Sequence, residues 1–249
     1  CGSDRHYSLE GGIGGATIEQ PLILGHEFAA EVAAGSPPAT GPEPGTLVAV
    51  EPAMPCGHCE WCLQGDPNLC PHVRFAGSPP AEQGALAEFV AAPASCLFPL
   101  PAQLQAAEGA LLEPLGVAIH ALDLAKVRAM DTVLVLGAGA IGLLMLQVAR
   151  LAGAAEVFVV DPVPGRRALA AKLGAAATAA TCEEVVGWTG GRGVDLVLEA
   201  TDAGEAPAQA AEAVRIGGRL ILAGIPSCDT MVLRAATLRR KGLTLKVVR

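Results

Sequence analysis

The stretch DTVLVLGAGAIGLLMLQVARLAGAAEVFVVD, Asp131 to Asp161, decides how the rest of the chain is read. Thr132 to Leu136 is an unbroken β-branched and aliphatic run, the composition of a strand buried on both faces of a parallel sheet. Gly137, Gly139 and Gly142 follow at GxGxxG spacing. In that pattern the first glycine permits a tight turn, the second lets the backbone approach a pyrophosphate, and the third lets the helix pack on the strand. The helix, Ile141 to Leu151, would aim its N-terminal amides at the phosphates, with Ala140 and Ile141 at its mouth. A second apolar strand, Val157 to Val160, ends in Asp161, 19 residues past Gly142, where a carboxylate can hold the adenosine ribose hydroxyls. Strand, turn, helix and acid together point to a nicotinamide dinucleotide, with NAD favoured by Asp161. Arg166 follows close enough to take part in binding it.

Two other readings of this stretch are weaker. A Gly-Ala turn in an unrelated α/β protein would not need the acidic residue at the second strand's end. A membrane span is suggested by the 18 uncharged residues between Asp131 and Arg150, but three glycines in a turn pattern argue against it.

The totals narrow the class. With 249 residues, two domains are expected, since single cores stop growing near this size. Aromatic residues make up only 3% and the net charge is −8, so neither stacking platforms nor a basic surface is available for nucleic acid. No apolar leader or stop-transfer pattern occurs, and a soluble cytoplasmic protein without membrane partners is the expectation. The chain starts at Cys1 and stops just after a strand-like LTLKVV, which reads as a fragment.

Residues 1 to 113 are rich in Pro, Gly and short apolar runs (ILGHEFAAEVAA, GTLVAVEP, GALAEFVAA), as in a β-rich domain with many turns. Four of the eight cysteines, Cys56, Cys59, Cys62 and Cys70, crowd into one Gly- and Pro-marked loop. Four thiolates at that spacing make a closed tetrahedral zinc site. An iron–sulfur cluster is the competing reading, and the gap before Cys70 is too long for the usual run. Cys96, Cys182 and Cys228 have no motif partners and read as small buried apolar residues.

A second constellation is dispersed: Cys1-Gly2-Ser3-Asp4-Arg5-His6-Tyr7, Gly25-His26-Glu27 and Glu113-Pro114-Leu115. Each piece alone is weak. Taken in order with CxxCxxCx7C, GAGxIG and VVD, the chain resembles the zinc-dependent medium-chain alcohol dehydrogenases, and within them the polyol (sorbitol, xylitol) dehydrogenase branch.

That resemblance implies a GroES-like β-rich catalytic domain over 1–113, lacking its N-terminal strands, and a Rossmann domain over 114–249, lacking its C-terminal part. It places Cys1, His26, Glu27 and Glu113 at a catalytic zinc, without ranking Glu27 against Glu113 as the direct ligand. Such a set neutralises the dication and leaves a position open to a substrate oxygen. Asp4 would fix the His26 tautomer. Ser3 and His6 match a proton relay ending at a surface imidazole. The family often has Gly after the Thr of its fourth-strand motif, whereas this chain reads Thr201-Asp202-Ala203-Gly204.

The second half alternates strands and helices: a helix over 117–126, then the fingerprint, a helix over 166–173, a strand over 194–199, a helix over 206–214, and strands over 219–223 and 243–248. That is an α/β doubly wound sheet. The expected activity is oxidation of a secondary alcohol of a polyol to a ketone, with one catalytic and one structural zinc and NAD as acceptor. A homo-oligomer is implied by the resemblance. Butanediol or threonine dehydrogenase is the alternative within the family, and a non-catalytic zinc- and nucleotide-binding module the alternative outside it.

Overall fold

The computed structural model describes residues 2–14, 16–35, 41–80, 82–226 and 230–249, so Cys1 and Cys228 lie outside the described residues. The chain divides into two compact units, Cys1–Glu113 with Arg249, and Pro114–Val248.

The first unit is held by short elements. In chain order these are α1 (Gly2–Glu10), β1 (Gly12–Ile13), β2 (Ala16–Thr17), β3 (Ala29–Glu31), β4 (Leu47–Val50), β5 (Ala53–Met54), α2 (Glu60–Gln64), β6 (Arg74–Phe75), β7 (Leu97–Pro99) and α3 (Ala106–Ala110). Strands β3, β4 and β7 form an antiparallel sheet, and β1–β2 and β5–β6 are two-stranded pairs. Its core is small: Val48, Val50 and Cys96 are buried against Phe28, Val32, Met54 and Leu97. Two features here differ from the expected strands and turns. Residues 2–10 form a helix that no apolar periodicity announces, because only His6 on it is buried. The GALAEFVAA run is not a strand, and Leu86 and Phe89 are 74% and 77% exposed. Its first amides instead clamp the loop before His26: Gly84, Ala85 and Leu86 donate to the carbonyls of Ile23, Gly25 and Leu24.

Helix α4 (Leu112–Ala125) spans the boundary, with Leu112 and Glu113 in the first unit, and the second continues β8 (Thr132–Leu136), α5 (Ala140–Leu151), β9 (Glu156–Val160), α6 (Pro164–Lys172), β10 (Ala177–Ala179), α7 (Glu183–Trp188), β11 (Val194–Glu199), α8 (Ala206–Ala213), β12 (Val214–Leu222), α9 (Ala235–Lys241) and β13 (Thr244–Val247). All six strands are parallel in the order β10-β9-β8-β11-β12-β13, so the winding reverses between β8 and β11. Successive side chains go to opposite faces. From β8, Val133 and Val135 join Met145, Leu146 and Ala149 of α5, while Leu134 and Leu136 join Ala206, Ala210 and Ala211 of α8. Strand β12 starts at Val214, five residues before the expected strand over 219–223, and Gly217 and Gly218 sit in a register shift within it, Gly217 at φ +68°. No helix among the described residues is long and apolar enough to cross a membrane.

Candidate metal and dinucleotide sites

The dispersed constellation converges within the first unit. His26, Glu27 and Glu113 each bring a ligand atom within 4.8 Å of the others. The loop that delivers His26 depends on Gly25, whose φ of +96° is costly for other residues and whose Cβ would meet Leu86 Cγ at 2.8 Å. Gly84 is needed as well, since a side chain there would collide with the Gly25 carbonyl. His26 is buried, edge-on to Phe75 with ring centroids 5.2 Å apart. Asp4, in the first turn of α1, sets its rotation: Oδ1 accepts from the Gly25 N–H at 3.1 Å and lies 3.5 Å from His26 Nδ1. The pairing leaves Nε2 as the imidazole's donor to a metal. Glu113 enters from the first turn of α4, where Pro114 costs no helical hydrogen bond.

The electrostatics of this group call for a cation. Burial lifts the Glu113 carboxyl to about 7, with Glu27 and Glu51 adding to the rise and His26 opposing it. A dication would relieve that crowding, and one imidazole with two carboxylates is a nitrogen and oxygen donor set suited to zinc. Cys1, the proposed thiolate of the set, lies outside the described residues.

The proposed relay residues lie on α1. Ser3 is half-buried in the first turn. His6 is only 7% exposed, so it is not the surface imidazole that the sequence suggested. Its Nδ1 lies 3.1 Å from Oε1 of Glu10, which is half-exposed one helical turn on. Glu10 therefore stands between His6 and solvent, a partner recognisable only once residues 2–10 are known to be helical, since i and i+4 then share a face. The Tyr7 hydroxyl and Ser78 Oγ lie 3.1 Å apart, tying the same helix to the loop after β6.

The four-cysteine loop brings Cys56, Cys59, Cys62 and Cys70 within 4.8 Å of one another. Cys59 Sγ lies 3.5 Å from that of Cys62 and 3.8 Å from that of Cys70. A tetrahedron of zinc–sulfur bonds of about 2.3 Å has edges of about 3.8 Å, so the thiols already stand at a zinc ion's spacing. The backbone N–H of His58 draws the Cys56 thiol down to about 6, while burial and its sulfur neighbours push Cys62 up to about 12. Only a metal lets all four be thiolates together.

In the second unit, Gly137 closes the turn after β8 at φ +96°, and a Cβ there would lie 2.7 Å from the Ala200 carbonyl. A side chain on Gly142 would strike the Gly137 carbonyl, whereas the Cβ position of Gly139 faces open space. Gly139 is the N-cap of α5 and makes no side-chain cap, so Ala140 and Ile141 start a helix whose mouth is clear for a pyrophosphate. Asp161 is 2% exposed. Its Oδ2 accepts from Ala138 N–H and its Oδ1 from Val163 N–H, both at 2.8 Å, so neither oxygen is bare, though each keeps a further lone pair for a ribose hydroxyl. The neighbouring arginines divide. Arg167 turns Nη1 to the carbonyls of Asp161 and Pro162, while the Arg166 guanidinium lies 3.5 Å from Asp161 Oδ2 with half its side chain exposed. The glycine turn, helix mouth and acid fit a dinucleotide.

Comparison with known proteins agrees with this chemistry. Residues 1–102 match the family described as alcohol dehydrogenase GroES-like domain, and residues 140–249 match zinc-binding dehydrogenase. The chain is 38% identical over 238 residues to the sorbitol dehydrogenase of Bacillus subtilis (strain 168), covering 94% of this chain and 67% of that protein. Among solved structures, L-idonate 5-dehydrogenase from Escherichia coli K-12 superposes with a TM-score of 0.89 at 30% identity, over 100% of this chain and 72% of that one. A zinc-binding dehydrogenase from Sinorhizobium meliloti 1021, solved bound to NADP, gives 0.89 at 32%, over 100% and 73%. The chain belongs to the zinc-dependent medium-chain alcohol dehydrogenases, in their polyol-dehydrogenase-like branch.

Proposed function

We propose that the chain oxidises a secondary alcohol of a sorbitol- or xylitol-like polyol to the ketone, with NAD as the preferred hydride acceptor. The observation that carries this is the convergence of His26, Glu27 and Glu113 at ligand distance, in a chain whose other unit holds the glycine fingerprint and Asp161. His26 through Nε2, Glu27 or Glu113, and Cys1 would hold zinc, and Cys56, Cys59, Cys62 and Cys70 a second, structural ion. When bound, zinc supplies Lewis acidity at the substrate oxygen and the nicotinamide accepts the hydride. The chain's own groups then do the rest. Ser3 accepts the substrate's hydroxyl proton as it gives up its own to the relay that ends at His6, and Glu10 holds the His6 imidazole in the rotamer and tautomer that can release it. Asp161 orients the adenosine ribose. The resemblances to sorbitol and L-idonate dehydrogenases support a polyhydroxylated substrate. Composition and family support a cytoplasmic homo-oligomer.

The test is metal analysis together with oxidation assays of the zinc-loaded chain on sorbitol, xylitol, butanediol and threonine, each with NAD and NADP. Two zinc ions per chain, turnover of a polyol above the other two classes, and higher kcat/KM with NAD are expected. Preference for butanediol or threonine would overturn the substrate assignment, and preference for NADP the cofactor assignment.

A further inference from the structure

Glu199 has no part in the metal chemistry, yet it is a carboxylate only 3% exposed at the C-terminal end of β11, beside the reversal of winding where such sheets bind ligands. Burial raises its pKa. Among the described residues its partners are on the loops that leave that edge of the sheet. Oε1 accepts from both the N–H and the hydroxyl of Thr201 at 2.7 Å, and Oε2 accepts from the Gly224 N–H at 3.3 Å. Its backbone carbonyl accepts from Ala223 and Gly224. The loop after β11 is thus fastened to the loop after β12, closely enough that any side chain on Gly224 would collide with the Thr201 carbonyl.

Thr201 carries the contact one step further. Its Cγ2 would lie 2.8 Å from a Cβ on Gly137, the first glycine of the fingerprint, so the threonine methyl packs against the turn that Gly137's φ of +96° and the nearby Ala200 carbonyl already reserve for glycine. Its hydroxyl donates to Glu199 and accepts from the Ala203 N–H. The three loops after β8, β11 and β12 therefore meet through one buried carboxylate whose donors here are N–H and O–H groups.

From this arrangement we infer that Glu199 is a positioning residue for the dinucleotide: it touches no cofactor, and by holding Thr201 against Gly137 it pre-sets the turn that admits the pyrophosphate. The inference rests on the dinucleotide reading of the second unit. Pre-set loops spare the ordering cost of binding, so their release shows as lost affinity.

The test is titration of the zinc-loaded chain with NADH, followed by fluorescence, with amide hydrogen exchange of the nucleotide-free chain alongside. In Glu199→Gln one acceptor becomes an N–H2 facing the Gly224 N–H, donor against donor. NADH affinity should fall about tenfold, and exchange should quicken at residues 137–142 and 201–204 while the interior of β8 stays protected. Thr201→Val keeps the methyl against Gly137 and loses only the hydroxyl donated to Glu199. It should weaken NADH about threefold, and it carries the test if Glu199→Gln does not fold. Thr201→Val with affinity within 1.5-fold of the parent, roughly the limit of the titration, would overturn the inference, as would a folded Glu199→Gln that is less heat-stable but binds NADH as the parent does. A parent chain that binds no NADH would overturn the dinucleotide reading itself.

Discussion

The four-cysteine loop and the parallel sheet reach order by opposite means. Between Cys56 and Cys70 only Cys70 is buried, and the loop's helix, α2, buries none of its residues. In the sheet unit, β11 is buried along its whole length and β8 at every position but the first. One segment has almost no apolar surface removed from water and must draw its stability from bonds to an ion. The other removes two faces of aliphatic side chains and needs none. Fold and metal should therefore be separable in this chain, one unit failing without the other.

The largest effect expected is removal of the loop's ion. Structural zinc contributes roughly 10 to 16 kcal/mol of binding free energy to the segment it organises. Cys59→Ser, which takes out the thiol nearest two of its partners, should lower the zinc content by one ion per chain and open residues 56–70 to proteolysis. The cooperative thermal transition of the sheet unit should stay in place. If the loop remains protease-resistant with its metal gone, packing rather than coordination holds it, and the contrast drawn above is wrong.

The converse perturbation is electrostatic and lies at the other end of β11 from Glu199. Asp195 accepts from the Thr132 N–H and hydroxyl and pairs with Arg192 and Arg215. Burial alone would raise its carboxyl, but these donors outweigh it and hold the group well below the usual carboxylate range. A folded-state pKa below the unfolded value means stability that is fully present above about pH 4 and is lost as the pH falls further. Asp195→Asn should therefore lower the sheet unit's stability by about 2 kcal/mol at pH 7, less than for a fully buried pair because the Arg192 and Arg215 side chains are 53% and 28% exposed. The gap between variant and parent should narrow as unfolding is followed from pH 5 towards pH 2. Zinc content should not change. A gap independent of pH would mean that shape rather than charge matters at this position.

How much of this was legible beforehand follows the same division. Strand β8 is found residue for residue where Thr132-Val-Leu-Val-Leu placed it, because a strand buried on both faces has a composition that nothing else requires. The cysteine spacing was equally plain, since the ligands are close in sequence. The His26, Glu27 and Glu113 group could be assembled only through a family resemblance, because Glu113 stands 86 residues from Glu27 and nothing local announces the meeting. Helix α1 was missed because its one buried residue is His6, and with it went Glu10. Helix α4 starts at Leu112, five residues before the apolar run at Val117, since Glu113 adds no apolar signal and Pro114, though buried, suits a first turn. Strand β10 and helix α7 give no clear signal, since β10 is Ala-Thr-Ala within a run of alanines and threonines and α7 is only six residues long. Glu199 was read as the last residue of a strand, and its role emerges only when three loops distant in sequence are seen to share it.

The smallest effect expected bears on cofactor choice, where the surface of the sheet unit matters more than its core. Asp161 is buried with both oxygens engaged by backbone amides, so its place is set by the fold. Arg166 is held less firmly: its guanidinium lies 3.5 Å from Asp161 Oδ2 and its side chain is 55% exposed. A 2′-phosphate would bring a second anion towards Asp161, and Arg166 is the cation placed to offset it. Against NAD, which has no such phosphate, the same side chain can only cover the ribose and adenine. Arg166→Ala should therefore leave NADH affinity within about twofold and weaken NADPH about fivefold, the order of a half-exposed ion pair near 1 kcal/mol. The NADPH loss should shrink in 0.5 M salt, because exposed charges are screened while the buried Asp161 is not. Equal losses for both cofactors, insensitive to salt, would make Arg166 a packing residue and leave Asp161 alone to discriminate between them.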